Sequence, residues 1–116
     1  MSYDEINCLY DRMKSYMVST SAYLDEDYTR EDMAKALNTN RTYLTEALRC
    51  KHLTFYRFVN SYRAQYAIEL LTRKPASSVE DIAFLSGFRT ARAMNRYIKQ
   101  SAGLSARALR NRITGD

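Results

Sequence analysis

Four polar side chains with hydrogen-bonding chemistry recur three or four residues apart in the C-terminal half of the chain. They are Arg92, Asn95, Arg96 and Lys99. This spacing places all four on one face of an α-helix. An arginine can donate two hydrogen bonds to guanine, an asparagine can pair with adenine, and a lysine can hold a phosphate. The pattern favours a helix that binds nucleic acid, although a charged face that is merely solvated has the same spacing.

A second set of polar residues occupies the same helical positions about fifty residues earlier. The earlier positions are Arg41, Thr42, Thr45, Glu46 and Arg49. The matching later positions are Ala91, Arg92, Asn95, Arg96 and Lys99. Asn40 and Thr90 precede the two helices as predicted N-caps. Glu46 can accept from a cytosine amino group but repels phosphate. We therefore expect the first face to contact bases weakly or to supply phosphate contacts only, and a solvated face stays open for it too.

Helix-start signals place each polar set on the second helix of a repeated unit. The segments 31–34 (EDMA) and 80–83 (EDIA) are nearly identical and lie 49 residues apart. Each belongs to a predicted capping box, Thr29 to Asp32 and Ser78 to Asp81. A corner and a second amphipathic helix follow in both copies, which predicts two helix-turn-helix units. The residues predicted to face inward on the first helices are Met33, Ala34, Leu37, Ile82, Ala83 and Leu85.

The remaining chain also carries helical patterns, with three glycines and one proline in total. We predict an N-terminal helix over 3–19, a long helix over 54–74 that ends before Pro75, and a closing helix over 106–112 capped by Ser105. At about 1.5 Å per residue the long helix makes a rod of about 30 Å. Successive major grooves on one face of DNA lie about 34 Å apart. The predicted class is therefore all-α, with two lobes joined by a linker helix.

Composition and charge exclude several classes of function. The chain has 116 residues, no apolar run near the length of a membrane span, and no signal-peptide pattern, so we expect a cytoplasmic location. Cys8, Cys50 and the single histidine, His52, are too few and too scattered for a structural zinc site or a Cys–His nucleophile. We predict no catalytic residues, no metal and no cofactor.

The net charge of +5 is unevenly distributed along the chain. Residues 1–28 carry six acids and two bases, a net of −4, whereas residues 29–116 carry sixteen bases and seven acids, a net of +9. A basic body of this size favours a polyanionic partner, with nucleic acid first. Charge alone is weak evidence, because many basic proteins bind no DNA.

Taken together, the motifs resemble the DNA-binding domain of the AraC/XylS family of bacterial transcription regulators. The most specific matches lie in the second unit: Ile82-Ala83, Gly87-Phe88, the stretch from Arg96 to Lys99, Gly103-Leu104-Ser105 and Leu109-Arg110. Those in the first half are Met33-Ala34, Tyr43-Leu44, Phe55, Asn60, Arg63, Ala67 and Leu70-Leu71. The resemblance covers residues 23–112 and leaves 1–22 as an N-terminal helix and lead-in. It implies a seven-helix domain with a first unit over 29–49, a linker helix over 54–74, a second unit over 78–101 and a closing helix over 105–112.

The resemblance also implies how such a domain contacts DNA. Both recognition helices would enter adjacent major grooves of a promoter, and the base-facing candidates are Thr42, Thr45, Glu46, Ala91, Arg92, Asn95 and Arg96. The chain departs from the family pattern at Ala106, where proline is usual, and we expect little effect because alanine is acceptable at the first helical position. It also departs at Lys51-His52-Leu53, a break that is shorter than usual and lacks its glycine.

The predicted function is sequence-specific binding of double-stranded DNA in transcription regulation. The alternative is a helical protein-interaction module that kept the fold and lost specific DNA binding. RNA polymerase and a separate sensor or dimerisation domain are further partners that the family resemblance leaves open. The operator sequence, and whether the protein activates or represses, are also left open.

Overall fold

The computed structural model describes residues 1–115, which form two compact units. The first unit is Met1–Val59, and the second begins at Asn60. Over residues 1–115 the chain forms seven α-helices, a short 3₁₀ helix (Ala22–Leu24) and no β-strand, which confirms the predicted all-α class. The α-helices are α1 (Tyr3–Thr20), α2 (Arg30–Ala36), α3 (Arg41–Arg49), α4 (Phe55–Arg73), α5 (Val79–Leu85), α6 (Ala91–Ala102) and α7 (Ala106–Thr114). None of these helices combines the length and the apolar composition needed to span a membrane.

The first unit is built on an apolar stripe of α1 that contacts α3. Ile6, Leu9, Met13 and Met17 are the buried residues of this stripe. Helix α2 begins at the predicted capping box, where the Thr29 hydroxyl accepts from the amide of Asp32 at 3.1 Å. The Asp32 carboxylate accepts in return from the amide of Thr29 at 2.9 Å. Met33, Ala34 and Leu37 are buried as predicted.

The corner between α2 and α3 depends on Asn38, which has a φ of 54°. Asparagine tolerates this left-handed conformation better than most residues with a side chain. The turn is closed by the amide of Thr39, which donates to the carbonyl of Ala34 at 2.9 Å. Asn40 then caps α3 as predicted, because its side chain accepts from the amide of Tyr43 at 2.9 Å.

The second unit has its own apolar core. Its fully buried members include Leu71, Ile82, Met94, Ile98 and Ala106. Ser78 forms the hydroxyl half of the predicted capping box and accepts from the amide of Asp81 at 3.0 Å. The core therefore holds α4, α5, α6 and α7 together.

One inward-facing residue was predicted wrongly. Leu85 is 42% exposed, and Ser86 is completely buried in its place. The reason is helical periodicity, since Ser86 follows Ile82 by four residues, as Leu37 follows Met33 in the first unit. The Ser86 hydroxyl avoids an unsatisfied burial by donating to the carbonyl of Ile82 at 2.7 Å.

The corner of the second unit repeats that of the first. Gly87 has a φ of 86° at the position that corresponds to Asn38. The amide of Phe88 donates to the carbonyl of Ala83 at 3.0 Å, the counterpart of the Thr39 bond. The left-handed Gly103 ends α6, with a φ of 76°. Both units thus aim their second helix through the same local geometry.

The closing helix, α7, holds the loop between α4 and α5 in place. Arg110 of α7 donates from Nη1 to the carbonyl of Ser77 and from Nη2 to the carbonyl of Lys74, the latter at 3.2 Å. Both carbonyls lie in the loop after α4, and that of Lys74 also accepts from the amide of Ser77 at 3.1 Å. Arg110 therefore fixes the loop that leads into α5.

Candidate nucleic-acid interface

Helix α6 presents the more basic of the two predicted recognition faces. The Thr90 side chain caps the helix by accepting from the amide of Ala93 at 3.1 Å. Met94 and Ile98 are completely buried, so the opposite face of α6 turns outward. Arg92, Arg96 and Lys99 are exposed on that face, as the spacing predicted.

The three cations of α6 are available to a ligand. No ion pair within residues 1–115 engages Arg92, Arg96 or Lys99. The face also lacks an acidic residue between Ala91 and Ala102. The helix can therefore offer two planar guanidinium groups to base edges or phosphates without first breaking an intramolecular pair.

Two predicted contact residues on α6 are half-buried, namely Ala91 and Asn95. The Asn95 side chain has a partner, since its Oδ1 accepts from the backbone amide of Ala106 at 2.8 Å. This bond joins the recognition helix to the first residue of α7. Sequence spacing gave no sign of it, because it joins two elements across a turn.

Helix α3 carries the other predicted face. Its buried residues are Leu44, Ala47 and Leu48, so the remaining residues face outward. Three of the predicted contact residues are exposed and two are half-buried. The exposed ones are Arg41, Thr42 and Arg49, and the half-buried ones are Thr45 and Glu46.

The positive charge of the α3 face is partly offset. Arg41 lies 3.5 Å from the carboxylate of Glu31 on α2, and both side chains are 63% exposed. An ion pair this exposed contributes little to stability, but it places a negative charge beside the arginine. Glu46 adds a second carboxylate on the face itself. The α3 face is therefore mixed in charge, whereas the α6 face is purely basic.

Arg30 is a residue of this surface that the sequence analysis missed. It is the first residue of α2, and its Nη1 donates to the hydroxyl of Thr45 on α3 at 3.1 Å. A groove of about 450 Å³ lies along this edge of the first unit. It is lined by Arg30, Arg41, Thr42, Thr45, Glu46 and Arg49. No local signal identifies Arg30, because its approach to Thr45 depends on how α2 packs on α3.

Asn40 and Thr90, also predicted as contact residues, have structural roles at the two helix starts. Each side-chain oxygen accepts a backbone amide hydrogen bond as an N-cap. Over residues 1–115 no group of three metal-binding side chains comes together. Cys8 and Cys50 are exposed free thiols.

The sequence matches the model of a family described as a helix-turn-helix domain over residues 33–112. No curated protein matches it significantly. Among solved structures, the chain is similar to a DNA-binding transcriptional dual regulator from Escherichia coli K-12. The TM-score is 0.75 and the identity 15%, over 90% of this chain and 91% of that one.

Two C-terminal domains of response regulators are also similar in structure. For AraT from Geobacillus stearothermophilus the TM-score is 0.72 at 23% identity, over 88% of this chain and 83% of that one. For yesN from Fusobacterium nucleatum subsp. nucleatum the TM-score is 0.70 at 16% identity, over 88% and 97%. At these identities the likeness establishes a shared fold, in agreement with the two helix-turn-helix units described above.

Proposed function

The chain belongs to the AraC-type helix-turn-helix family, and on that premise we propose that it binds double-stranded DNA sequence-specifically in transcription regulation. The observation that carries the proposal is the α6 face, where Arg92, Arg96 and Lys99 are exposed and unpaired within the described residues. A capped helix with such a face fits a major groove about 12 Å wide.

Affinity and specificity have different sources in this proposal. Lysine and arginine contacts to phosphates supply affinity and release counterions, so binding weakens steeply as salt rises. Contacts to base edges supply specificity. Arg92 and Arg96 are assigned to guanine edges, and Lys99 to a phosphate.

The first unit supplies a weaker set of contacts to the same duplex, in the adjacent major groove. Arg30 and Arg49 are assigned to phosphates, and Thr42 and Thr45 to base edges. Since both units belong to one chain, the first to bind raises the effective concentration of the other near the DNA.

No catalytic step belongs to this proposal. The family is one of DNA-binding transcription regulators, which are not usually enzymes. A cytoplasmic location is proposed with it. RNA polymerase and a sensor or dimerisation domain remain proposed partners, because a regulator acts on transcription through such contacts.

Fluorescence anisotropy with labelled duplexes tests the proposal directly. Sites selected from a random pool are compared with the pool itself across a salt series. We expect selected sites to bind at least about 10³-fold more tightly than the pool, with a steep salt slope. Equal, weakly salt-dependent binding of both would contradict sequence-specific recognition.

A further inference from the structure

The recognition helix of the second unit is joined to the closing helix through a base-contact candidate. Asn95 Oδ1 accepts from the amide of Ala106 at 2.8 Å, in a partly buried position. A backbone amide can only donate a hydrogen bond, so the atom of Asn95 that faces it must be the oxygen. The orientation of the Asn95 amide group is thereby determined by its partner.

The bond satisfies a group that α7 leaves open. Ala106 is the first residue of α7, where backbone amides have no acceptor inside the helix. The Ser105 hydroxyl already accepts from the amide of Ala108 at 3.2 Å. Ala106 itself is completely buried, so its amide depends on a protein acceptor. Losing Asn95 would leave that amide without its partner.

The orientation decides which bases Asn95 can contact. The oxygen and the nitrogen of a side-chain amide point in different directions from Cγ. Because the Asn95 oxygen points to the amide of Ala106, its NH2 group points away from the contact between α6 and α7. Pairing with adenine uses both groups, because the oxygen must accept from N6 while the nitrogen donates to N7.

The geometry points to Asn95 as a donor that selects guanine or thymine, in place of the adenine pairing that its residue type suggests. Guanine presents O6 and N7 as acceptors in the major groove and thymine presents O4, whereas adenine places the donor N6–H2 beside its single acceptor N7, so a side chain that can only donate prefers guanine or thymine. Ala106 is the positioning residue, because its N–H holds the oxygen. This inference rests on the proposed function, since it assigns a base preference to the same site.

Ala106→Pro is the variant that breaks the bond and keeps Asn95. Proline has no N–H and places its Cδ where the amide hydrogen was, so it displaces the Asn95 oxygen from this position. The first position of a helix accepts proline, and it requires an extended residue before it. Ser105 meets this requirement with a φ of −68° and a ψ of 163°. Circular dichroism and a thermal melt confirm that the variant is folded before it is compared.

The experiment measures the affinity of the whole chain for every single base-pair variant of a selected duplex. Asn95→Ala first identifies the base pair that Asn95 contacts, as the position where discrimination is lost. We expect the wild type to prefer guanine or thymine there, and Ala106→Pro to shift the preference towards adenine by about tenfold. The double variant Asn95→Ala/Ala106→Pro is the matched control and should show no preference at that position.

Three outcomes of the binding experiment would overturn the inference and leave the proposed function intact. The wild type prefers adenine at that position, Ala106→Pro leaves the preference unchanged, or Asn95→Ala changes no preference at all. A wild type that binds all duplexes equally overturns the proposed function and, with it, the base preference assigned to Asn95.

Amide hydrogen exchange of free protein checks the bond without DNA, and the amide of Ala106 should exchange at least about tenfold faster in Asn95→Ala. Unchanged exchange would also overturn the inference.

Discussion

The two helix-turn-helix units share their corner and differ in the face that each recognition helix exposes. Asn38 and Gly87 take the same left-handed conformation, and the same backbone bond closes both turns, at 2.9 and 3.0 Å. By contrast, Arg41 on α3 faces a carboxylate 3.5 Å away, whereas no ion pair in the described chain engages the cations of α6. The duplicated geometry therefore positions two chemically different surfaces, and we expect the second unit to dominate DNA binding.

The largest expected effect comes from removing the two arginines of α6. Arg92→Ala/Arg96→Ala removes two candidate bidentate contacts, each worth about 1–3 kcal/mol, so affinity for a selected site should fall at least about 30-fold. Anisotropy at constant salt measures the change. The matched variant of the first unit, Arg41→Ala/Arg49→Ala, should lose less than about tenfold. An equal loss in both variants would show that the two faces contribute alike.

The next contrast is between the segments that precede α2 and α5, the first helices of the two helix-turn-helix units. Arg110 donates to the carbonyls of Ser77 and Lys74 before α5, whereas before α2 Tyr28, which aligns with Ser77 in the repeat, stacks on Phe55 with the ring centroids 6.2 Å apart. Arg110→Ala should lower the free energy of unfolding by about 1.5–3 kcal/mol, since hydrogen bonds from a charged group are lost. Urea unfolding measures the loss. Arg110→Lys should recover only part of it, because lysine lacks the planar fork.

The equivalent corners predict a smaller, unequal cost of a common substitution. Gly87→Ala forces a Cβ into a left-handed conformation and should destabilise by about 1–2 kcal/mol. Asn38→Ala should cost less, because Asn38 already bears a Cβ at its φ of 54°. Thermal unfolding of the two variants compares the costs, and a larger loss at Asn38 would contradict the equivalence of the corners.

Sequence reasoning succeeds where the structure is determined by residues close together in the chain. Caps are local, so Thr29, Asn40 and Thr90 were assigned correctly from residue type and spacing. The prediction that Leu85 faces inward was wrong. The repeat aligns the buried Leu37 with Ser86, so the alignment of the two units would have placed Ser86 inward instead.

Contacts between elements could not be predicted in the same way. The Arg30–Thr45 and Asn95–Ala106 bonds require the packing of two helices, which a spacing pattern does not encode. The same holds for the fastening of the α4–α5 loop by Arg110. The predicted contact residues on both helices follow from helical phase, and their roles towards DNA remain predictions.

Removing a buried hydroxyl of the first unit, that of Tyr28, should stabilise the fold. Tyr28 Oη is buried and lacks a hydrogen-bond partner within residues 1–115, and burial, followed by nearby Tyr16 and Asp32, raises the pKa of Tyr28. Tyr28→Phe should therefore stabilise the fold by about 1 kcal/mol.

The sign of the pH effect follows from the same residue. Because the folded state favours the neutral phenol, the unfolded chain ionises first, and wild-type stability should fall as pH rises above about 10. Tyr28→Phe should reduce that fall. Urea unfolding at pH 8 and pH 10.5 measures both effects, and identical pH profiles would refute the assignment.

The smallest expected effect concerns the acid on the α3 face. Glu46→Gln removes a negative charge from the surface proposed to contact phosphates. The affinity for DNA should therefore rise about two- to fivefold at low salt, and the gain should shrink at high salt. Glu80→Gln, on the first helix of the other unit, is the control. A loss of discrimination at one base pair would instead identify Glu46 as a contact to cytosine.

The most direct test of base recognition by α6 is a base-by-base affinity profile of the wild type and of Arg92→Ala/Arg96→Ala on one selected duplex. We predict two short patches of discriminating base pairs in the wild type and the loss of one patch in the variant. Retention of both patches with uniformly weaker binding would contradict this prediction, because the α6 arginines would then contact only phosphates.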